Sequence, residues 1–399
     1  MTIAATSTRE WSVVLGLSLG PAVGNGFARF GYGLLLPAMR LDLAWSYTEA
    51  GWISTANAIG YLIGAVLALR FVATVGAARL FRWGMLATVV AICAAGTTRN
   101  VWLLALWRIT AGLGGAPVFI AGGAMVARSF DANPARNALA IALYFCGSGF
   151  GMAVSGALVP SLLERFGAGA WIWAWWTLGL TSAIALPYAL WASRRATDAA
   201  FHVADTAPLP WPMMLPSLVA YFLFASGYIV YVTFLVAWMR ERGAEAGTIS
   251  LVWIVLGLAV MASPFPWRPV LAAYDGGGPL SLAILATAFG ALLPVVARGV
   301  AALIVSAVMF GFAFFIAPSA AMGFTRKNLP PPAWGPGIAL YTTVFAVGQT
   351  LGPIGAGWIA DVSHSLTVGM ISAGVILTAG SLCAAGQAPL GSAPRGQAR

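Results

Sequence analysis

Two charges stand in the middle of long apolar stretches of this sequence, Arg29 and Arg108. A guanidinium in hydrocarbon costs about 2.5–3.5 kcal/mol on insertion scales, so each must face a cavity or a partner. Its planar fork suits a carboxylate or similar group, gripped through two parallel hydrogen bonds. Helix rise puts the two at matching depth. Arg29 precedes Pro37 by eight residues, about 12 Å from that end of its span. Arg108 lies seven residues into its own span, about 10 Å deep.

Neutral polar and aromatic residues gather at the same level. Asn25, Arg29 and Tyr32 follow i, i+4, i+7 spacing and share one face of a helix. Asn57 lies eight residues into the next span, with Tyr61 one turn further. Tyr221, Phe224, Tyr228 and Tyr231 form a single aromatic stripe, whose last two members reach the arginine level. Ser306, Met309, Phe310, Phe314 and Gln349 complete the wall. The candidate binding set is therefore Arg29, Arg108, Asn25, Tyr32, Asn57, Tyr228, Tyr231, Phe310 and Gln349. Structural alternatives stand beside it. Arg108 can bond to backbone carbonyls of neighbouring helices, Asn57 can join two helices, and the stripe can serve packing or lipid contact.

Other chemistries lack their residues. All 11 carboxylates lie in loops or at span ends, and His202 and His364 lie in loops. An integral-membrane enzyme would need a nucleophile with its base, paired acids or metal ligands at depth. Cys93, Cys146 and Cys383 fall inside apolar stretches without a C-x-x-C pair, so they read as small apolar fillers. The one lysine, Lys327, belongs to no phosphate-binding G-x-x-x-x-G-K-[ST] run, which excludes ATP as the energy source. No cofactor or metal is expected.

The elements that must carry these residues follow from composition. Of 399 residues, 60% are hydrophobic and 8% charged, against about a quarter charged in an ordinary soluble domain. With a mean hydropathy of +0.87, the surrounding solvent is lipid. The net charge of +10 comes from basic residues at the ends of apolar runs, with no nucleic-acid-binding patch. Arg9 and Glu10 precede an apolar stretch too long for a signal-peptide core, so the first span is read as an uncleaved helix.

Punctuation by charge, proline and glycine gives twelve spans: 12–37, 49–69, 80–98, 101–126, 137–160, 170–192, 213–238, 248–266, 279–297, 300–323, 335–360 and 365–385. Ser46 and Glu49 make a capping box at the start of the second. With the N-terminus inside, 13 basic residues fall in cytoplasmic segments and 6 in outer loops, which places both termini in the cytoplasm. The polar loop 193–212 divides an N-terminal six-helix bundle (1–192) from a C-terminal one (213–399). Gly147, Gly151 and Gly156 of the fifth span match Gly348, Gly352 and Gly357 of the eleventh at a constant offset of 201. A parallel 6+6 repeat requires such a match.

Several of these stretches resemble motifs of the major facilitator superfamily. Arg108-Ile-Thr-Ala-Gly112-Leu-Gly114 is similar to its R-x-x-x-G-x-G stretch, and Gly348-Gln-Thr-Leu-Gly352-Pro353 through Gly357 to its G-x-x-x-G-P-x-x-G motif. Gly147 through Gly156 is a weaker version without the proline. Gly26-Phe-Ala-Arg29-Phe-Gly-Tyr32, followed by Leu-Leu-Leu-Pro37, looks like a branch of mostly uncharacterised bacterial members. One stretch departs: where the superfamily carries G-x-L-x-D-R-x-G-R-K/R, Gly64 through Arg70 has no aspartate, so the usual cytoplasmic charge latch is weak or rebuilt.

The resemblance implies an all-α, twelve-helix transporter whose first, fourth, seventh and tenth helices line a central cavity. It therefore implies that both arginines lie on cavity helices. Gly147, Gly151, Gly348 and Gly352 then serve close packing, expected between the fifth and second or the eleventh and eighth helices, with Pro353 bending its helix. The resulting expectation is a monomeric secondary transporter in a bacterial inner membrane, moving a small organic anion by alternating access. The alternative is an exporter of drugs or of neutral or cationic metabolites, which lacks a buried carboxylate to attract a cation.

Overall fold

The computed structural model describes residues 2–130, 133–196 and 208–391. Most of the loop expected between the halves lies outside the described residues, including Asp198, His202 and Asp205, as do Asp131, Arg395 and Arg399. Every described element is helical, as unsatisfied backbone groups in lipid require. The helices follow one another as α1 (Thr2–Pro21), a π-helical segment (Ala22–Phe30), α2 (Gly31–Asp42), α3 (Tyr47–Val75), α4 (Ala77–Ala95), α5 (Val101–Val126), α6 (Pro134–Phe166) and α7 (Trp171–Arg195). The second half repeats the pattern with α8 (Leu215–Glu241), α9 (Ala246–Ala262), α10 (Pro264–Ala273), α11 (Gly278–Val296), α12 (Val300–Phe314), α13 (Ile316–Asn328), α14 (Pro331–Val362) and α15 (Leu366–Ala385).

Nine described helical stretches are long and apolar enough to cross a bilayer, and the bent pair α9–α10 adds a tenth. The first rod (α1, the π segment and α2) and α7 occupy the other two places in the twelve-rod order. Helix starts obey local chemistry. Ser46 Oγ accepts from the Glu49 amide at 3.1 Å while Glu49 Oε2 accepts from the Ser46 amide at 2.8 Å, the reciprocal pair expected there. Asn100 Oδ1 accepts from Trp102 and Leu103 at the start of α5. Gly76, at φ 88°, lets α3 turn into α4 through a single residue.

Three rods depart from straight spans. In the first, Pro21 and the glycines at 24, 26, 31 and 33 loosen the ladder, and nine residues adopt π geometry. The eighth bends by 45° between α9 and α10, where Pro264, Pro266 and Pro269 remove donors in quick succession. The tenth breaks at Phe315, because the Pro318 ring displaces the carbonyl one turn back, at Phe314. Pro353, by contrast, does not interrupt α14, which runs unbroken from Pro331 to Val362.

The glycine repeat is a duplicated packing scheme, with partners that differ from the expected ones. A Cβ on Gly147 or Gly151 would collide with the carbonyls of Ser18 and Ala22 in the first rod. One on Gly348 or Gly352 would collide with those of Phe222 and Ser226 in α8. The third member of each triplet crosses between halves: Gly156 abuts Trp253 of α9, and Gly357 abuts Tyr47 of α3. The fifth helix therefore packs on the first and eighth, and the eleventh on the seventh and second. Small residues on two faces of one helix permit both approaches.

Candidate functional site

The π segment carries Asn25 and Arg29, and the wider winding sends them to different neighbours. Asn25 Nδ2 donates to Ser148 Oγ of α6 at 3.2 Å, inside the N-terminal half. Arg29 Nη2 instead donates across the seam to the Tyr228 hydroxyl of α8 at 3.3 Å. Tyr32, on α2, donates to the Ala50 carbonyl of α3 at 2.8 Å. The face shared in sequence is thus divided among three partners.

Arg29 is 9% exposed and Arg108 2% exposed, and they are held differently. The Arg29 guanidinium lies over the ring of Tyr61, 5.0 Å from its centroid, and 5.8 Å from that of Phe30. Among the described residues its one hydrogen bond is to Tyr228, and no carboxylate pairs with it. Arg108 turns inward to the N-terminal bundle. Its Nη1 donates to the Ala28 carbonyl of the π segment, and its charge faces the rings of Tyr32 (5.0 Å) and Trp175 (5.6 Å). Asn57 Nδ2 donates to the Arg108 carbonyl at 3.1 Å, joining α3 to α5. Arg108 and Asn57 thus both make hydrogen bonds from helix to helix.

On the facing side, the Tyr228 hydroxyl accepts from Arg29 and donates to Gln349 Oε1 of α14 at 3.0 Å, using both its capacities. Tyr231 points elsewhere: its hydroxyl shares a 2.7 Å hydrogen bond with Ser306, and its ring stacks on Phe310 at 4.0 Å. Tyr221, Phe224, Tyr228 and Phe345 lie with neighbouring rings within 28° of parallel. Phe314 lies at 19° to Tyr228. Sequence reasoning missed Phe345, which sits one turn before Gln349 on α14; that i, i+4 spacing was the available signal.

Several hydrogen bonds tie the seam at the end distal to the chain termini. Asp361, near the end of α14, accepts from the Tyr47 and Thr48 amides (both 2.8 Å) and from the Thr48 hydroxyl (2.6 Å), capping α3 from the other half. In the mirror position, Glu164 of α6 accepts from the Ala246 amide at 3.1 Å and caps α9. Tyr47 also donates to Glu241, and Arg40 lies 3.8 Å over the Tyr47 ring. Nearer the middle, Ser54 and Thr233 share a 3.1 Å hydrogen bond, and Thr55 donates to the Thr350 carbonyl at 2.7 Å. A carboxylate at a helix N-terminus meets free amides and the positive end of the helix dipole.

The two helical halves are thus tied by reciprocal caps, with an arginine reaching across midway. The family described as uncharacterised MFS-type transporter YbfB matches residues 21–385. The chain belongs to this family. It is therefore a multi-pass integral membrane protein of the major facilitator fold. Its fold is similar to that of the nucleoside transporter NupG, solved as a single-site mutant, with a TM-score of 0.71 at 14% identity, covering 93% of this chain and 98% of the other. It is also similar to a bacterial homologue of the human lysosomal transporter Spinster, solved inward-facing and unoccupied, with a TM-score of 0.65 at 16% identity, covering 94% and 96%. At such identities the likeness is one of fold. No curated protein matches the sequence.

Proposed function

We propose that this family member is a secondary transporter of small organic anions, working by alternating access, with Arg29 as the anion anchor. The observation that carries this reading is a guanidinium at the seam between halves, without a carboxylate partner among the described residues, whose one hydrogen bond goes to the opposite half. An anion with two oxygens offers that fork a better partner than a phenol hydroxyl does. Tyr228 and Gln349 complete the site from the C-terminal bundle. Arg108 is a positioning residue: it holds the carbonyl of Ala28, immediately before Arg29. Asn25, Tyr32, Asn57, Tyr231 and Phe310 support the walls through bonds and contacts of their own.

In this reading the chain sits in a bacterial inner membrane with both termini cytoplasmic, and it catalyses no covalent chemistry. The loop 193–212 joins two bundles that rock against each other as a monomer. The acids Glu164, Glu241 and Asp361 sit at the distal helix ends. Proton coupling therefore runs through the substrate's own acid group, or the protein exchanges or facilitates. The ring cluster favours a second reading, an exporter of neutral or cationic compounds, because stacking needs no charge.

The test is transport in liposomes containing the pure protein. Wild type should move small carboxylates, Arg29→Lys should do so weakly because the fork is lost, and Arg29→Ala least. Transport of a permanent cation that survives Arg29→Ala would overturn the anion reading in favour of the exporter.

A further inference from the structure

Tyr228 is a polar ring held in an aromatic stack at the seam. Its phenol is a flat ring lying nearly parallel to three others, Phe345 at 13°, Phe224 at 15° and Phe314 at 19°, with centroids 5.0–5.8 Å away. From that stack its oxygen reaches the Arg29 guanidinium on one side and Gln349 on the other. The side chain thus has the form of a ligand: a planar ring held by its faces, with a polar oxygen at its edge directed to the arginine.

We infer that the site selects planar, conjugated carboxylates, whose ring joins the stack of α8, α12 and α14 while the carboxylate takes Arg29 from Tyr228. This rests on the reading of Arg29 as the anion anchor. Two physical terms divide the task. The guanidinium recognises the charge, and a carboxylate uses two of its donors where the phenol oxygen uses one. The rings recognise flatness, because offset-stacked faces gain over equal apolar area without a ring, which a saturated ring of the same size forfeits. Phe345 is the stack member that is half-buried, whereas Phe224, Tyr228 and Phe314 are buried, so an incoming ring would meet the stack first at Phe345. Displaced from Arg29, the Tyr228 hydroxyl keeps its bond to Gln349 and is not left unsatisfied.

Three probes separate the terms by calorimetric binding to the purified full-length protein. Benzoate is flat and charged, cyclohexanecarboxylate charged but not flat, and benzamide flat but neutral. Benzoate should bind about fivefold tighter than cyclohexanecarboxylate, in keeping with the added worth of an aromatic pair, and far tighter than benzamide. Phe345→Leu should remove the preference for benzoate over cyclohexanecarboxylate while leaving the latter's affinity nearly unchanged. Equal or tighter binding of cyclohexanecarboxylate, lost in Arg29→Ala, would overturn selection for flatness and leave the anion reading standing. Benzamide binding as tightly as benzoate, with both surviving Arg29→Ala, would overturn the anion reading and this inference with it, as would the failure of all three to bind.

Discussion

Arg29 and Arg108 carry the same charge at matching depth on two helices of one bundle, yet one reaches the other half of the molecule and the other is closed inside its own. The difference comes from how their helices are turned. α5 is wedged by its glycines: a Cβ on Gly112 would strike the Asn57 carbonyl of α3, and one on Gly114 the Gly84 carbonyl of α4. Gly115 lies against Gly24 of the first rod. That three-sided grip aims Arg108 at Ala28 and encloses it with the rings of Tyr32 and Trp175. The first rod abuts α8 instead, with Gly33 against the Val232 carbonyl, and Arg29 emerges at that contact. A buried charge therefore does different things according to whether its partner belongs to its own half or to the opposite one.

The largest expected effect breaks the enclosed charge. Arg108→Ala removes the donor to Ala28 and opens a cavity beneath two aromatic faces, so it should cost about 3 kcal/mol of stability. Lowered unfolding temperature in detergent, with poor recovery of folded protein, is the expected readout. An Arg108→Ala protein that melts like wild type but loses ligand binding would place Arg108 in the site and erase the contrast. Next comes Arg29→Ala, which should leave melting nearly unchanged and weaken carboxylate binding about 10- to 100-fold, the worth of a charge-assisted hydrogen bond. A fall in stability as large as that of Arg108→Ala would show Arg29 to be structural too.

Much of this arrangement is legible in the sequence, and the unread part has a common cause. Depth follows from helix rise, so the level of Arg29, Arg108, Asn57 and Tyr228 is readable from distance to span ends. The duplication is readable because close helix approach in lipid demands small residues at fixed spacing, and Gly147, Gly151 and Gly156 repeat as Gly348, Gly352 and Gly357. Rotation about the helix axis is not readable. In a soluble helix the polar face marks the outside, but α5 and α8 are apolar all round, and nothing in their pattern separates lipid from neighbour. The π winding of the first rod is equally unmarked: the sequence puts Asn25, Arg29 and Tyr32 on one face of a regular helix, while in the structure they meet Ser148, Tyr228 and the Ala50 carbonyl. The partners of α6 are hidden for a related reason, since glycines on two of its faces do not say which face meets which helix.

Rotation can be tested through Gly112. A methyl group there meets backbone of α3, the Asn57 carbonyl and the Tyr61 amide, neither of which can move without its helix. Gly112→Ala should therefore push α5 from α3 at a cost of about 1–2 kcal/mol. Because this α3–α5 contact aims the Arg108 side chain at the Ala28 carbonyl, a bond that Arg108→Ala already removes, the loss should be smaller when made in an Arg108→Ala background than alone. Strict additivity of the two losses would mean that the glycine does not aim the arginine.

The smallest effect concerns what Arg29 has and Arg108 lacks, dependence on how the halves sit. Asp361 caps α3 and Glu164 caps α9, each from the opposite half, so both caps must open if the distal end parts. Asp361→Asn keeps an acceptor oxygen and removes the charge, which at a helix N-terminus is worth about 0.3–1 kcal/mol. The population with the distal end open should then rise about two- to fivefold. Spin labels on Leu41→Cys and Val362→Cys report it, since both sites are exposed at that end on opposite halves, 74% and 62% accessible. With Cys93, Cys146 and Cys383 replaced by alanine, pulsed electron spin resonance should show a longer-distance component growing in Asp361→Asn. Glu164→Gln should do the same, and the pair should add. Carboxylate affinity should shift with that component, because opening separates Arg29 from Tyr228, whereas the Arg108 contact to Ala28 lies within one bundle and does not follow. A distance distribution unchanged in the double variant would show that the caps do not hold the seam, and that the contacts Ser54–Thr233 and Thr55–Thr350 carry the closure instead.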